Sequence, residues 1–233
     1  MMKKRLLVSL ATCLLLVVNS AHALPLNLDF GTSGGPPSAG FGAASGQTGT
    51  WNNITQFSTI SGIVDIYSNT TSVAVSITAN QMDGSTSLPD GNANDLMEDN
   101  FFSYSPNSWS ISITGLTNGM YDVYLYEPHN SRIGTGSGSL NGNAFTNING
   151  NFGSGSFVQG SNYYLFSNVA VTGGTLTATG SQTIGYSGLS GMQIVSDQQG
   201  PGPAPVPEPA TMFLFGTGLA GLIGSRLRKK KSA

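Results

Sequence analysis

An all-β fold, built as a single β-sandwich or jelly roll, is predicted by three observations. Apolar residues recur with a period of two over several short stretches, glycine supplies 32 of the 233 residues, and charged residues make up only 9%, against roughly a quarter in average soluble domains. Helix bundles and coiled coils need charged outer faces and few glycines, so this composition disfavours both. Disorder is disfavoured as well, because 39% of the residues are hydrophobic, enough apolar surface to build a core.

The strands follow in chain order. Leu26, Leu28 and Phe30 alternate with Asn27 and Asp29, the pattern of a strand with one face on a core and the other in water. Residues 62–67 read as the next strand, and then Val73, Val75, Ile77 and Ala79 alternate with Ala74, Ser76 and Thr78. Residues 95–102 alone look helical. Trp109, Ile111 and Ile113 alternate with Ser110, Ser112 and Thr114, which places Trp109 in the core. Residues 120–127, 144–148, 163–171, 175–179 and 192–195 complete the set. Thr117-Asn118-Gly119 and Thr172-Gly173-Gly174 supply turns between strands. About nine short strands with one polar face each require a second sheet some 10 Å away. A β-solenoid would need a repeat of fixed period, and the sequence has none.

Charge divides the chain into a body and two ends. Of nine Lys and Arg, eight are Lys3, Lys4, Arg5, Arg226, Arg228, Lys229, Lys230 and Lys231. Between Leu24 and Gln199 only Arg132 stands against ten acids, a net of -9, and that span has no Lys. A body with a single cation cannot neutralise a run of phosphates, which argues against nucleic acid and anionic lipid as its partners. Cations and neutral polar polymers remain.

The first 23 residues combine basic Lys3 to Arg5, an apolar run over residues 6–18, and Ala21-His22-Ala23, the three parts of a secretory signal peptide cleaved after Ala23. Cys13 is the one cysteine and leaves with it, so the mature chain has no thiol for a disulfide, a metal or a nucleophile. Residues 24–197 form the β domain, and 198–205 are a Gly/Pro-rich linker that holds neither helix nor central strand. Residues 206–233 begin Val206-Pro207-Glu208-Pro209, continue with an apolar stretch and end in the basic cluster from Arg226 to Lys231. At helical rise the apolar part is roughly 22 Å long, short for the hydrocarbon core. Its basic end would stay in the cytoplasm. A signal helix and a C-terminal membrane helix would thus flank a domain lying outside.

These tail residues resemble the PEP-CTERM sorting signal of exopolysaccharide-producing Gram-negative bacteria. The same kind of tail also goes by the name ice-binding protein C-terminal domain, a label that does not make it bind ice. The resemblance implies that Pro207, Glu208 and Pro209 are read by an exosortase-type membrane enzyme. That enzyme would remove the anchor and pass the protein to the cell surface. An ordinary membrane anchor shares the topology without needing Glu208 between two prolines. Within the body, Leu26-Asn27-Leu28-Asp29-Phe30-Gly31 and Gly188-Leu189-Ser190-Gly191-Met192-Gln193-Ile194 resemble stretches of galactose-binding-like jelly rolls.

Three catalytic strings fail on context. Gly31-Thr32-Ser33-Gly34-Gly35 fits a nucleophile elbow, but Pro36-Pro37 forbids the helix that must follow. Gly216-Thr217-Gly218-Leu219-Ala220-Gly221 fits a dinucleotide fingerprint but lies inside the membrane stretch. His129, in Glu127-Pro128-His129-Asn130, reads as a loop residue, because a general base needs a positioned nucleophile. Asp122 and Glu127 have opposite parity, hence opposite faces of one strand.

Two binding chemistries stand. Asp90, Asn92, Asn94 and Asp95 offer alternating oxygens with Glu98 and Asp99 close behind, a candidate calcium loop, though not an EF-hand; a solvated loop is the other reading. Sugar binding would use aromatic rings, most of which belong to the core. Trp51, between Thr50 and Asn52, is the ring with the best prospect of exposure and the candidate glycan contact. Ice would require a flat repeated hydroxyl array, and Thr175, Thr177 and Thr179 make only one rank. The sequence therefore points to an exported surface or matrix protein with a structural or glycan-associating domain. The alternative is an extracellular enzyme acting on polysaccharide.

Overall fold

The computed structural model describes residues 24–196 except 33, 85–86, 130–133, 135, 149 and 154. The chain divides into two units, Met1–Gln198 and Gln199–Ala233, and every described residue belongs to the first. The signal segment, the linker, the tail and Arg132 lie outside the described residues. Among the described residues no helix is long and apolar enough to cross a membrane.

The fold is all-β. Fourteen strands are described: β1 Leu26–Phe30, β2 Trp51–Ile54, β3 Ile60–Ser61, β4 Ala74–Thr78, β5 Gln81–Asp83, β6 Asn100–Tyr104, β7 Ser108–Thr114, β8 Gly119–Tyr126, β9 Gly136–Leu140, β10 Asn143–Thr146, β11 Tyr163–Val171, β12 Thr175–Gln182, β13 Tyr186–Leu189 and β14 Gly191–Ser196. One sheet runs β11-β8-β14-β1-β2, a second runs β10-β9-β12-β7-β4-β3, and a small third sheet runs β13-β6-β5. The first and last strands lie side by side and antiparallel, with Leu26 opposite Ile194.

The predicted alternation builds the core. Leu26, Leu28, Phe30, Tyr121, Val123, Met192 and Ile194 of the five-stranded sheet join Val75, Ile77, Trp109, Ile111, Ile113, Leu176 and Ala178 of the six-stranded sheet in one buried cluster. Trp109 is in that core, its indole N–H donating to Ser187 Oγ at 2.8 Å and its ring edge-on to Phe101 at 5.4 Å. Glycine makes room for it: a Cβ at Gly180 would come within 2.3 Å of the indole.

Strand β1 departs from the sequence expectation. All five of its residues are buried, Asn27 and Asp29 included. The reason is the pairing of β1 with β2, which is parallel, Asn27 facing Trp51. A parallel neighbour needs a long crossover. Here residues 31–50 pass over the outer face of the five-stranded sheet and bury Ala44 and Gln47. Ala43 N–H donates to the Tyr126 hydroxyl at 2.6 Å and Gln47 Nε2 to Asn27 Oδ1 at 2.8 Å.

Two local expectations also change. Residues 62–67 make a turn with a single Val64–Thr70 bridge, because the Asp65 carboxylate accepts from the amides of Tyr67 (2.9 Å) and Asn69 (2.8 Å) and so bends the chain. Residues 95–102 divide between a helical segment and a strand. The short helix α1, Gly91–Ala93, runs into a π turn at Asn94–Glu98, and the chain then enters β6.

Candidate functional site

The outer face of the five-stranded sheet gathers most of the residues singled out in the sequence. Register sets them in rows across the strands. Gln193 lies opposite Tyr124, Asn27 opposite Gln193 and Trp51 opposite Asn27. In the next row, Tyr163 lies opposite Tyr126, Gly191 opposite Tyr126 on its other side, and Asn53 and Gly191 flank Asp29.

The middle of this face is a buried polar belt. The Tyr126 hydroxyl donates to Gln193 Oε1, which also accepts from Ala44 N–H at 3.1 Å. Gln193 Nε2 donates to Asn27 Oδ1 at 2.9 Å. Burial pushes the Tyr126 phenol upward, far outside any physiological titration. Among the described residues Asn27 Nδ2, Gln47 Oε1, Trp51 Nε1 and Asn53 Oδ1 have no hydrogen-bond partner, and the Asp29 carboxylate is offset only by the adjacent Phe30 amide. Such a concentration of unmatched buried groups is costly to the fold.

Acids flank the belt on one side. Asp29 is held well above the usual carboxylate range, first by burial and then by the like charges of Asp99 and Asp95, so its neutral form is favoured. Asp95, raised by burial and opposed by the Gly35 amide, sits against the loop that follows β1. A Cβ at Gly34 would lie 2.3 Å from its Oδ1. Glu98 accepts from the Ser87 amide at 2.9 Å and from the Ser87 hydroxyl.

The candidate calcium loop lies in this region, and three of its oxygens accept hydrogen bonds from the chain. Asp90 Oδ1 accepts from Asn92 N–H at 2.9 Å and caps α1. Asn92 Oδ1 accepts from Ser38 N–H at 2.7 Å and Asn94 Oδ1 from Leu88 N–H at 2.9 Å. Among the described residues no three His, Cys, Asp or Glu side chains converge to hold a metal.

Aromatic rings occupy the opposite margin. Tyr124 and Tyr163 stack with centroids 5.7 Å apart and planes at 28°, and both are half-buried. Phe157, also half-buried, meets Tyr126 edge-on at 5.4 Å and Phe41 at 5.1 Å. Trp51 is a correction to the sequence reading. It is only 5% exposed, because the crossover and α1 cover it together with Leu88, Leu96 and Met97. Its ring is packed away from solvent, whereas Tyr124 and Tyr163 are partly exposed. Sequence named both tyrosines but could not pair them, since the β8–β11 register is long-range.

The remaining candidates are placed as follows. His129 Nδ1 accepts from Phe152 N–H at 2.9 Å. Asp122 Oδ1 accepts from Asn168 N–H at 2.9 Å. Glu127, just past β8, is fully buried with neither oxygen partnered among the described residues, and burial raises it well above the ordinary range. The two acids do not form a pair.

Residues 205–229 match the PEP-CTERM protein-sorting motif. That motif implies export, processing by an exosortase, and a protein that is membrane-anchored and then surface-located. The match encloses Pro207, Glu208, Pro209, Arg226, Arg228 and Lys229. No curated protein matches the chain. Among solved structures, CBM32-3 from a family 31 glycoside hydrolase of Clostridium perfringens is similar at 16% identity and a TM-score of 0.31. The similarity covers 52% of this chain and 91% of that one.

Proposed function

We propose that the PEP-CTERM tail delivers a non-catalytic β domain to the cell surface or extracellular matrix, where the domain associates with glycan through the Tyr124–Tyr163 stack. The stack carries the reading: two near-parallel rings, 5.7 Å apart and each partly exposed, toward the β11 edge of the sheet. Rings presented this way give apolar area at low entropic cost while their hydroxyls face polar partners. Support for a non-catalytic role comes from the acids. Asp29 and Glu127 have strongly raised proton affinities but are 0% exposed, out of reach of a polymer. Exopolysaccharide is the partner chemistry we assign, since the body has a single cation and no means of gripping a polyanion.

The tests are separate for the two halves of the proposal. Glu208→Ala should leave the protein at the inner membrane; normal release would end the exosortase reading of Glu208. On a glycan array the released protein should bind, and Tyr163→Ala should weaken binding about tenfold. Turnover of any polysaccharide by the purified protein would instead favour an enzyme.

A further inference from the structure

The single threonine rank seen in the sequence belongs to a lattice. Thr175, Thr177, Thr179 and Ser181 of β12 lie opposite Thr114, Ser112, Ser110 and Ser108 of β7. On its other side β12 sets Thr179 and Ser181 opposite Ser139 and Ser137 of β9, and β4 extends the ranks with Ser76 and Thr78 beside Ser112 and Ser110. All of these side chains are on the outer face of the six-stranded sheet, exposed or half-buried. Strand geometry spaces them about 4.8 Å across the sheet and about 6.8 Å along it.

Three properties of this face point to a ligand. Among the described residues its strands present no ionisable side chain, on a domain whose net charge is -9. It is grooved: Ser108, Ser137, Ser139, Thr179 and Ser181, with the backbone of Gly138 and Gly180, line a depression of about 300 Å³. The hydroxyls that line the depression make no hydrogen bond among the described residues, unlike those of Ser76, bonded to Thr59, Thr177, bonded to Asn141, and Thr175, which donates to Gly173 O. One exposed hydroxyl hydrogen bond nets only about 1 kcal/mol or less. A ligand gains from this face only by repeating its own donors and acceptors along its length. A neutral groove adds nothing for a charged polymer, and a groove holds a strand better than it holds a plane.

We infer that this groove takes a chain of neutral, hydroxyl-rich polysaccharide. Resting on the glycan reading of the ring face, the domain then holds two chains on opposite sides of the sandwich and cross-links them. The outward faces of the two sheets point apart because their inner faces share one core.

The test uses the released protein with soluble galactomannan as the probe, reading binding by affinity electrophoresis and cross-linking by sedimentation of protein–polymer networks. Wild type should show both. Thr179→Arg, which fills the groove, and Thr179→Val, which keeps its shape without the hydroxyl, should retain retardation while network formation falls about tenfold or more. Tyr163→Ala should also abolish networks, and the double variant should abolish retardation. Wild-type networks in both Thr179 variants, with retardation intact, would overturn the groove and leave the ring face standing. Loss of all retardation in Tyr163→Ala alone would overturn the groove likewise, and no retardation of wild type would overturn both faces. A Thr179-dependent dimer without polymer, or Thr179-dependent shaping of ice crystals without retardation, would assign the face to a second copy or to ice and overturn the inference.

Discussion

Asp99 occupies the space that a side chain on Gly31 would need. A Cβ at position 31 would lie 2.2 Å from Asp99 Cβ and 2.4 Å from its Cγ, and Asp99 is itself fully buried. The end of β1 is therefore locked to the residue that follows the π turn. Gly31→Ala should destabilise the domain by about 1–3 kcal/mol through overpacking, measured by urea unfolding. An unchanged midpoint would show that the Asp99 side chain swings away freely.

Asp29 gives the domain an unusual pH dependence. Its folded carboxyl lies well above the ordinary value of 3.8 because of burial and of Asp99 and Asp95. The folded state thus binds the proton more tightly than the unfolded state. The resulting contribution is complete below the unfolded value and is lost as pH rises through the folded one, by at most about 1.4 kcal/mol per pH unit. Glu127, raised by burial, acts with the same sign. Thermal melts should show Tm rising on mild acidification from neutrality. Asp29→Asn should flatten that slope and raise Tm at pH 7; an unchanged slope would remove Asp29 as its source.

Trp51 serves packing. Its ring lies in a buried cluster with Leu88, Leu96, Met97 and Tyr126, so Trp51→Ala should cost about 3–5 kcal/mol. Trp51→Phe, folded but less well packed, should keep wild-type glycan affinity while Tyr163→Ala does not. Equal losses of affinity in Trp51→Phe and Tyr163→Ala would return Trp51 to the binding site.

Much of the fold is legible in the sequence because period two is a local property. β1, β4, β7, β8, β11, β12 and β14 all fall on predicted stretches. Strands β9, Gly-Ser-Gly-Ser-Leu, and β13, Tyr-Ser-Gly-Leu, were invisible because glycine and serine carry no hydrophobic signal. Both persist by pairing with neighbours that supply the apolar area. At Gly138 the missing side chain is itself the fit, since a Cβ there would lie 2.2 Å from the Phe145 ring.

The candidate site was legible only as a list of residue types. Tyr124 and Tyr163 could be named as rings, and Asp29 as a strand residue with a polar outward face. Nothing local could show that the crossover would bury Asp29 and Trp51 while leaving the two tyrosines half in water. The calcium loop illustrates the same limit, because a run of Asp and Asn reads alike whether its oxygens face an ion or cap a turn.

The sequence by itself determined a sorting tail, recognised by linear order of charge and apolar length, and a β-rich, cation-poor body, recognised by composition and parity. Tertiary structure decided which polar faces are buried, which rings are presented, and that one rank of threonines continues into a two-dimensional array of hydroxyls. Composition and parity are properties of neighbours along the chain. Exposure and lattice order depend on which strands pair across more than a hundred residues, as Asn27 and Gln193 do, and that pairing is chosen by the packing of the whole core.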